Sequence, residues 1–265
     1  MNLTSTPVKE PFIVDQKSIS AKLSTTMEDY PAGLIIVLDK PYGWTSADAV
    51  RKIKFSLQRW FGLKNIKVGH AGTLDPLATG ILMICAGKAT RLAESLQSQK
   101  KEYIAEITFG ATTPSFDLEK EIDATFEYKH ISKESVEEIL PLFTGEIDQI
   151  PPLFSAKLVD GNRAYDIARA GIDTQLKASK VTIYNLKVLN YHNGVLELYV
   201  ECSKGTYIRS LARDFGVSLK SGAHLSSLVR SASGGFKVEN AISMDNLKLF
   251  FIFLQQHLLY EIIPI

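Results

Sequence analysis

The chain has 265 residues, 45% hydrophobic and 22% charged, the makeup of a globular protein with room for one large domain or two small ones. Its longest apolar run, residues 249–254, falls far short of the roughly 18–20 residues that span a bilayer, and its start lacks the charged-then-apolar layout of a signal peptide. The net charge of +1 argues at first against a nucleic-acid partner, but its distribution does not. Residues 40–101 hold 11 Lys and Arg against 3 Asp and Glu, residues 102–150 hold 3 against 12, and residues 151–239 hold 12 against 7. A neutral chain so segregated can still turn a basic face to phosphates. Cys85 and Cys202 sit in apolar, strand-like runs without metal-ligand spacing. They read as buried thiols of a reducing compartment, and the cytoplasm is expected.

Residues 1–32 are polar and carry Pro7, Pro11 and Pro31; they read as an extension, partly disordered or laid over the domain. Leu34–Leu38 predicts a buried strand, and Pro41-Tyr42-Gly43 a turn. A helix is predicted from Thr45 or Ser46, with Val50, Ile53, Leu57 and Trp60 on one face and Arg51, Lys52, Lys54 and Arg59 elsewhere. Residues 81–86 form a strand-like run, and residues 103–109 alternate as a strand does. Ser132 opens a helix with Val136, Ile139, Leu140 and Phe143 inward, closed by Gly145. Pro151-Pro152 marks a break, and a short helix is predicted over 163–170, ended by Gly171. Residues 181–189 and 195–202 predict a hairpin around Asn193-Gly194. Thr206 caps a helix with Ile208, Leu211, Ala212 and Phe215 on its core face, and Ser243 starts a last, very apolar helix. Strands outnumber helices without strict alternation, which favours an α+β fold with a mostly antiparallel sheet.

The densest chemistry lies in residues 69–80, Gly-His-Ala-Gly-Thr-Leu-Asp-Pro-Leu-Ala-Thr-Gly. A lone carboxylate in a glycine-rich loop, with no second one near in sequence, suggests a nucleophile rather than an acid/base pair. Asp before Pro is also a common helix start, with Asp75 as N-cap and Pro76 at the first helical position. His70 taken alone reads as a structural hydrogen-bonder. The loop fits neither phosphate-cradling glycine pattern. Spacing alone leaves the roles of Asp75 open.

This segment resembles the signature of the TruB family of tRNA pseudouridine synthases. Further segments resemble the same family in the same order: residues 38–46 (Leu-Asp-Lys-Pro-Tyr-Gly-Trp-Thr-Ser), Lys101-Glu102-Tyr103, residues 202–210 (Cys-Ser-Lys-Gly-Thr-Tyr-Ile-Arg-Ser) and, more weakly, residues 222–230. The resemblance implies the pseudouridine synthase fold, a mixed, mostly antiparallel sheet with flanking helices and a central catalytic cleft. It implies a catalytic domain over 33–240 with a T-arm-gripping insertion at about 151–171, between the extension 1–32 and a C-terminal helix at 241–265. It implies isomerisation of uridine 55 in the T-loop of tRNA, with no cofactor and no metal, by a monomer needing no guide RNA and no membrane. By the same resemblance Asp75 is the nucleophile, attacking base or sugar, and Arg209 pairs with it. Tyr103 stacks on the flipped base and helps the C5 proton leave. His70 fills the space the base vacates, and Tyr207 and Leu228 line the pocket. Lys40 belongs to a basic loop and is expected at the cleft or on a phosphate; Lys157 and Arg163 are expected on phosphates of the T-arm.

Two departures from the family pattern stand out. Pro114 occupies a position where many relatives carry Asp, so an RNA-side contact is expected to be lost or moved to Asp117. Only about 25 residues follow the matched core, too few for the small RNA-binding (PUA) domain many relatives carry. Weaker acceptor-arm binding, or compensation by residues 1–32, is the expectation. Two other functions remain open from sequence: a tRNA folding chaperone whose gripping matters more than its chemistry, and a synthase for another RNA.

Overall fold

A computed structural model describes residues 10–18, 23–155, 158–159, 162–163 and 176–247. The chain divides into two compact units, one of residues 1–98 and 232–265, the other of residues 99–231, so the division cuts through the expected 33–240 span.

In the first unit, β2 (Leu34–Lys40) and β4 (Thr79–Ala86) pair antiparallel, Leu34 opposite Ala86 and Lys40 opposite Gly80. Both strands are buried almost throughout, the mark of strands covered on both faces. β1 (Phe12–Val14) adds in parallel to β2, and β3 (Val68–His70) antiparallel to β4. Residues 12–14 of the extension are therefore a strand of this sheet. The Ser24 carbonyl accepts from Trp60 Nε1 at 3.0 Å and from the Tyr30 hydroxyl at 3.2 Å. Helix α1 (Ser46–Trp60) begins at a capping box: Thr45 Oγ1 accepts from the Asp48 N–H, and the Asp48 carboxylate accepts from the Thr45 N–H. It buries Ser46, Ala49, Ile53, Leu57 and Trp60, so Ala49 rather than Val50 completes the inner stripe.

The second unit carries β5 (Lys101–Phe109), whose Tyr103, Ala105, Ile107 and Phe109 are buried in alternation as expected. Helix α2 (Lys133–Ile139) starts at the Ser132 capping box but buries only Val136. Pro141 ends it early, since a 3-10 turn takes residues 140–143, and Gly145 opens β6 (Gly145–Gln149) instead of closing the helix. Phe143 still packs inward, 4.6 Å from the Phe215 ring centroid. β7 (Ser179–His192) and β8 (Val195–Cys202) form the expected hairpin. Asn193 and Gly194 both adopt positive φ, 48° and 79°, as a two-residue type I′ turn requires. β6 pairs antiparallel with β7, and β8 with β5.

Helix α3 (Ile208–Ser218) buries Ile208, Leu211, Ala212 and Phe215, as the sequence predicts. Its N-cap is Tyr207, not Thr206, whose hydroxyl donates to the Ser203 carbonyl. At Gly216 a Cβ would stand 2.5 Å from the backbone nitrogen of Ala223, so the helix touches the start of β9 (Ala223–Ser233), the sheet neighbour of β5. The sheet is mostly antiparallel in both units. Arg163 ends a short strand pairing Asn162–Arg163 with Leu158–Val159 rather than opening a helix, and the rest of that predicted helix lies outside the described residues. Met244–Leu247 is helical, with the Ser243 hydroxyl accepting from the Asn246 N–H, as an N-cap does. Both cysteines are free and buried, and burial pushes their thiols up to about 11 at Cys85 and about 12 at Cys202. They are core residues, as the sequence reading holds.

Lys101 is buried beside Arg230, and desolvation first, then the neighbouring cation, lower its ammonium from 10.5 to about 8. Between about pH 8 and 10.5 the unfolded chain therefore holds a proton there that the folded chain has lost, and stability gains with rising pH. Below pH 8 both states are charged and the burial cost stands in full. The Lys101→Met variant is expected to be more stable than the parent at pH 7, with the gap narrowing toward pH 10.5 in urea unfolding. A gap independent of pH would contradict this.

Candidate active site

The Asp75 loop is built from the first unit. β3 ends at His70, the Ala71 N–H donates to the Met83 carbonyl at 2.9 Å, and the chain reaches Leu74-Asp75-Pro76 before re-entering the sheet at Thr79. No helix follows Asp75. The Ala78 N–H donates to the Asp75 carbonyl at 3.1 Å, closing a tight turn with Pro76 at its second position, where a fixed φ is favoured. The capping role open to an Asp-Pro step is therefore absent, and the half-buried carboxylate serves no helix.

The turn is held from outside on both sides. Ser46 Oγ, at the start of α1, accepts from the Leu74 N–H at 2.9 Å and donates to the Leu74 carbonyl at 3.0 Å. Lys40 Nζ donates to the carbonyls of Pro41 at 2.9 Å, Trp44 at 2.7 Å and Pro76 at 3.2 Å. The Gly43 N–H also reaches the Pro76 carbonyl at 2.9 Å. Lys40, expected at the cleft or on a phosphate, is 0% exposed, and its ammonium ties the 41–44 turn to the Asp75 turn, which favours a place in the frame of the loop over a phosphate contact. A buried ammonium needs such a set of acceptors to offset its lost hydration. Near the other end of this loop the Asp39 carboxylate accepts from the Gly80 N–H at 3.1 Å, and burial raises its proton affinity.

Arg209, Tyr207, Tyr103 and Leu228 lie in the second unit. Arg209 is 3% exposed, its guanidinium donating to the carbonyls of Ser115 at 3.2 Å and Phe154 at 3.0 Å, with Asp117 3.6 Å from Nε. A cation in the first turn of a helix opposes the helix dipole, and Asp117 compensates it. Asp117 is 4% exposed, so it faces Arg209 and is not the relocated RNA-side contact expected of it. Tyr207 is set by Gln149, whose side-chain amide accepts from the Tyr207 N–H at 2.8 Å and donates to its carbonyl at 3.1 Å. Tyr103 and Leu228 lie, nearly buried, on the neighbouring strands β5 and β9. Lys157 lies outside the described residues.

Sequence reasoning missed Ser46 and Gln149 as supports. Ser46 stood inside a motif already singled out; Gln149 carried no signal beyond its place before Pro151-Pro152. Among the described residues no group of three His, Cys, Asp or Glu side chains converges as metal ligands, and no helix is long and apolar enough to cross a membrane.

Comparison with known proteins places this architecture. Residues 58–208 match the family described as TruB family pseudouridylate synthase (N terminal domain). The chain is 53% identical over 218 residues to the tRNA pseudouridine synthase B of Phocaeicola vulgatus, covering 82% of this chain and 93% of that protein. It is 49% identical over 220 residues to the protein of the same name from Flavobacterium johnsoniae, covering 83% and 96%. Among solved structures it is similar to a chain in the crystal structure of a Cbf5-Nop10-Gar1 complex, with 30% identity and a TM-score of 0.65. That likeness covers 85% of this chain and 56% of the solved one, so the chain spans little more than half of that neighbour's length. The chain belongs to the TruB family of pseudouridylate synthases, and its fold is the pseudouridine synthase fold.

Proposed function

We propose that the chain isomerises a uridine of tRNA to pseudouridine, at position 55 of the T-loop, with Asp75 as nucleophile. The observation that carries this reading is the Asp75 turn: an Asp-Pro step that starts no helix, with both peptides flanking the aspartate hydrogen-bonded. The names of the relatives in two bacterial species support the substrate class. In the reaction the N1–C1′ bond of the uridine breaks and a C1′–C5 bond forms. The C5 proton leaves and N1 gains one, so atoms and electrons balance without an oxidant or reductant. Asp75 bonds to base or sugar while the uracil turns over.

A stacked base lies out of reach, so the target is flipped into a pocket. Tyr103 stacks on it and helps the C5 proton leave, Tyr207 and Leu228 wall it, and His70 fills the vacated place in the loop. Arg209 pairs with Asp75 and aims its carboxylate. Lys157 and Arg163 hold phosphates of the T-arm. The chain acts as a monomer in the cytoplasm, on tRNA alone, without guide RNA or cofactor.

The test is conversion of unmodified tRNA and of an isolated T-arm stem-loop by purified full-length protein, without added metal, with the product mapped by pseudouridine-specific chemistry. Product at the single T-loop uridine is expected on both. Product on full tRNA only would mean that contacts outside the T-arm are required. Product at another site, or on another RNA, would overturn the position, and no product with intact tRNA binding would favour the folding-chaperone function.

A further inference from the structure

Ser46 stands in the first turn of α1, where a hydroxyl ordinarily serves the helix. Here the helix has no need of it. The Thr45–Asp48 capping box already satisfies the Asp48 N–H and the Thr45 N–H. The Ser46 hydroxyl is directed instead across 28 residues of sequence to Leu74, meeting both its N–H and its carbonyl.

The Leu74 carbonyl belongs to the peptide that enters Asp75, and the Asp75 carbonyl to the peptide that leaves it. The first accepts from Ser46 at 3.0 Å and the second from the Ala78 N–H at 3.1 Å. Both peptide planes on either side of the Asp75 Cα are thereby pinned, which fixes its φ and ψ and the direction of its Cα–Cβ bond. Lys40 secures the turn one residue further on, at Pro76. Ser46 is thus a group from outside the loop that acts on the peptide entering Asp75. It is 3% exposed and buried beneath the loop, so it cannot touch RNA.

We infer that Ser46 is a positioning residue for the nucleophile: its hydroxyl sets the peptide that enters Asp75 and so holds the carboxylate at attacking distance. The inference rests on the proposed role of Asp75. Misplacing a reacting group by about 1 Å can cost on the order of 10²-fold in rate. The effect falls on the chemical step and leaves substrate binding alone.

Thr and Val have nearly the same shape, and only Thr keeps the hydroxyl, so the pair Ser46→Thr and Ser46→Val isolates the hydrogen bonds from the added methyl group. Single-turnover conversion of tRNA and tRNA affinity are measured for both, with Ser46→Ala alongside, below the unfolding midpoint of each. The expected result is a rate for Ser46→Val and Ser46→Ala about 10–100-fold below that of Ser46→Thr, with affinities equal within twofold. Equal rates for Thr and Val variants, or a loss confined to affinity or to the unfolding midpoint, would overturn the inference and leave Ser46 a structural residue. A parent protein that converts no tRNA would instead overturn the proposed function beneath it, an outcome read in the same experiment before any variant is compared.

Discussion

The Asp75→Asn variant is expected to form no measurable pseudouridine, a loss on the order of 10⁴-fold or more, while binding tRNA as the parent does. Asparagine matches aspartate in shape and in capping ability, so it separates the two roles that an Asp-Pro step can have. If Asp75 served the turn alone, the amide would serve as well and activity would survive. The turn's own hydrogen bond runs through the Asp75 carbonyl and is untouched by the change. The turn is therefore expected to stand, and any loss of stability to come from the proposed pairing of the carboxylate with Arg209. Single-turnover conversion, filter binding and urea unfolding together give the answer. Retained turnover would remove Asp75 as nucleophile, whatever the family membership of the chain.

The second large effect is expected at Lys40. Its ammonium, on a side chain 0% exposed, donates to three carbonyls, of the half-buried Pro41, Trp44 and Pro76. Lys40→Met keeps the length of the side chain and removes all three donors. A carbonyl left without a partner costs about 1–3 kcal/mol where water cannot take the donor's place, and less at these half-buried positions. Relief from burying a charge offsets part of this, and the Gly43 N–H still serves Pro76. A net loss of about 3 kcal/mol is expected, which for a chain of this size lowers the unfolding midpoint by roughly 10 °C. Because the lost tie is one of those joining the 41–44 turn to the Asp75 turn, turnover is expected to fall as well, even well below that midpoint. A variant with unchanged melting and turnover would show that the Gly43 bond and Ser46 hold the turn by themselves.

The local elements were legible because their signals are local. Alternation along residues 103–109, the Asn193-Gly194 turn and the apolar spacing of α3 each lie within a dozen residues, and each is found where the pattern puts it. Errors gathered at boundaries, where two local signals compete. Thr206 has a capping side chain, but its hydroxyl bonds back to Ser203 and the helix begins one residue later. Apolar periodicity carries the α2 pattern past Ile139, and the proline at 141 stops it.

The candidate site divides in the same way. The residues alone pointed to the family and singled out Asp75, His70, Tyr103, Tyr207 and Arg209, because motif chemistry is written in short contiguous runs. They left two roles for Asp75 and gave no sign that Lys40 and Asp117 are buried. That no helix follows Asp75, and that Lys40 and Asp117 are buried, came only with the folded chain. Ser46 reaches Leu74 across 28 residues, Lys40 reaches Pro76 across 36 and Gln149 reaches Tyr207 across 58. No periodicity connects positions so far apart. A lysine or an aspartate in a loop reads as solvent-facing until the fold removes its water. Once that water is gone, the charge must be met by backbone carbonyls, as at Lys40, or by an opposite charge, as Asp117 is by Arg209, and a group expected to meet RNA becomes part of the frame that holds the site.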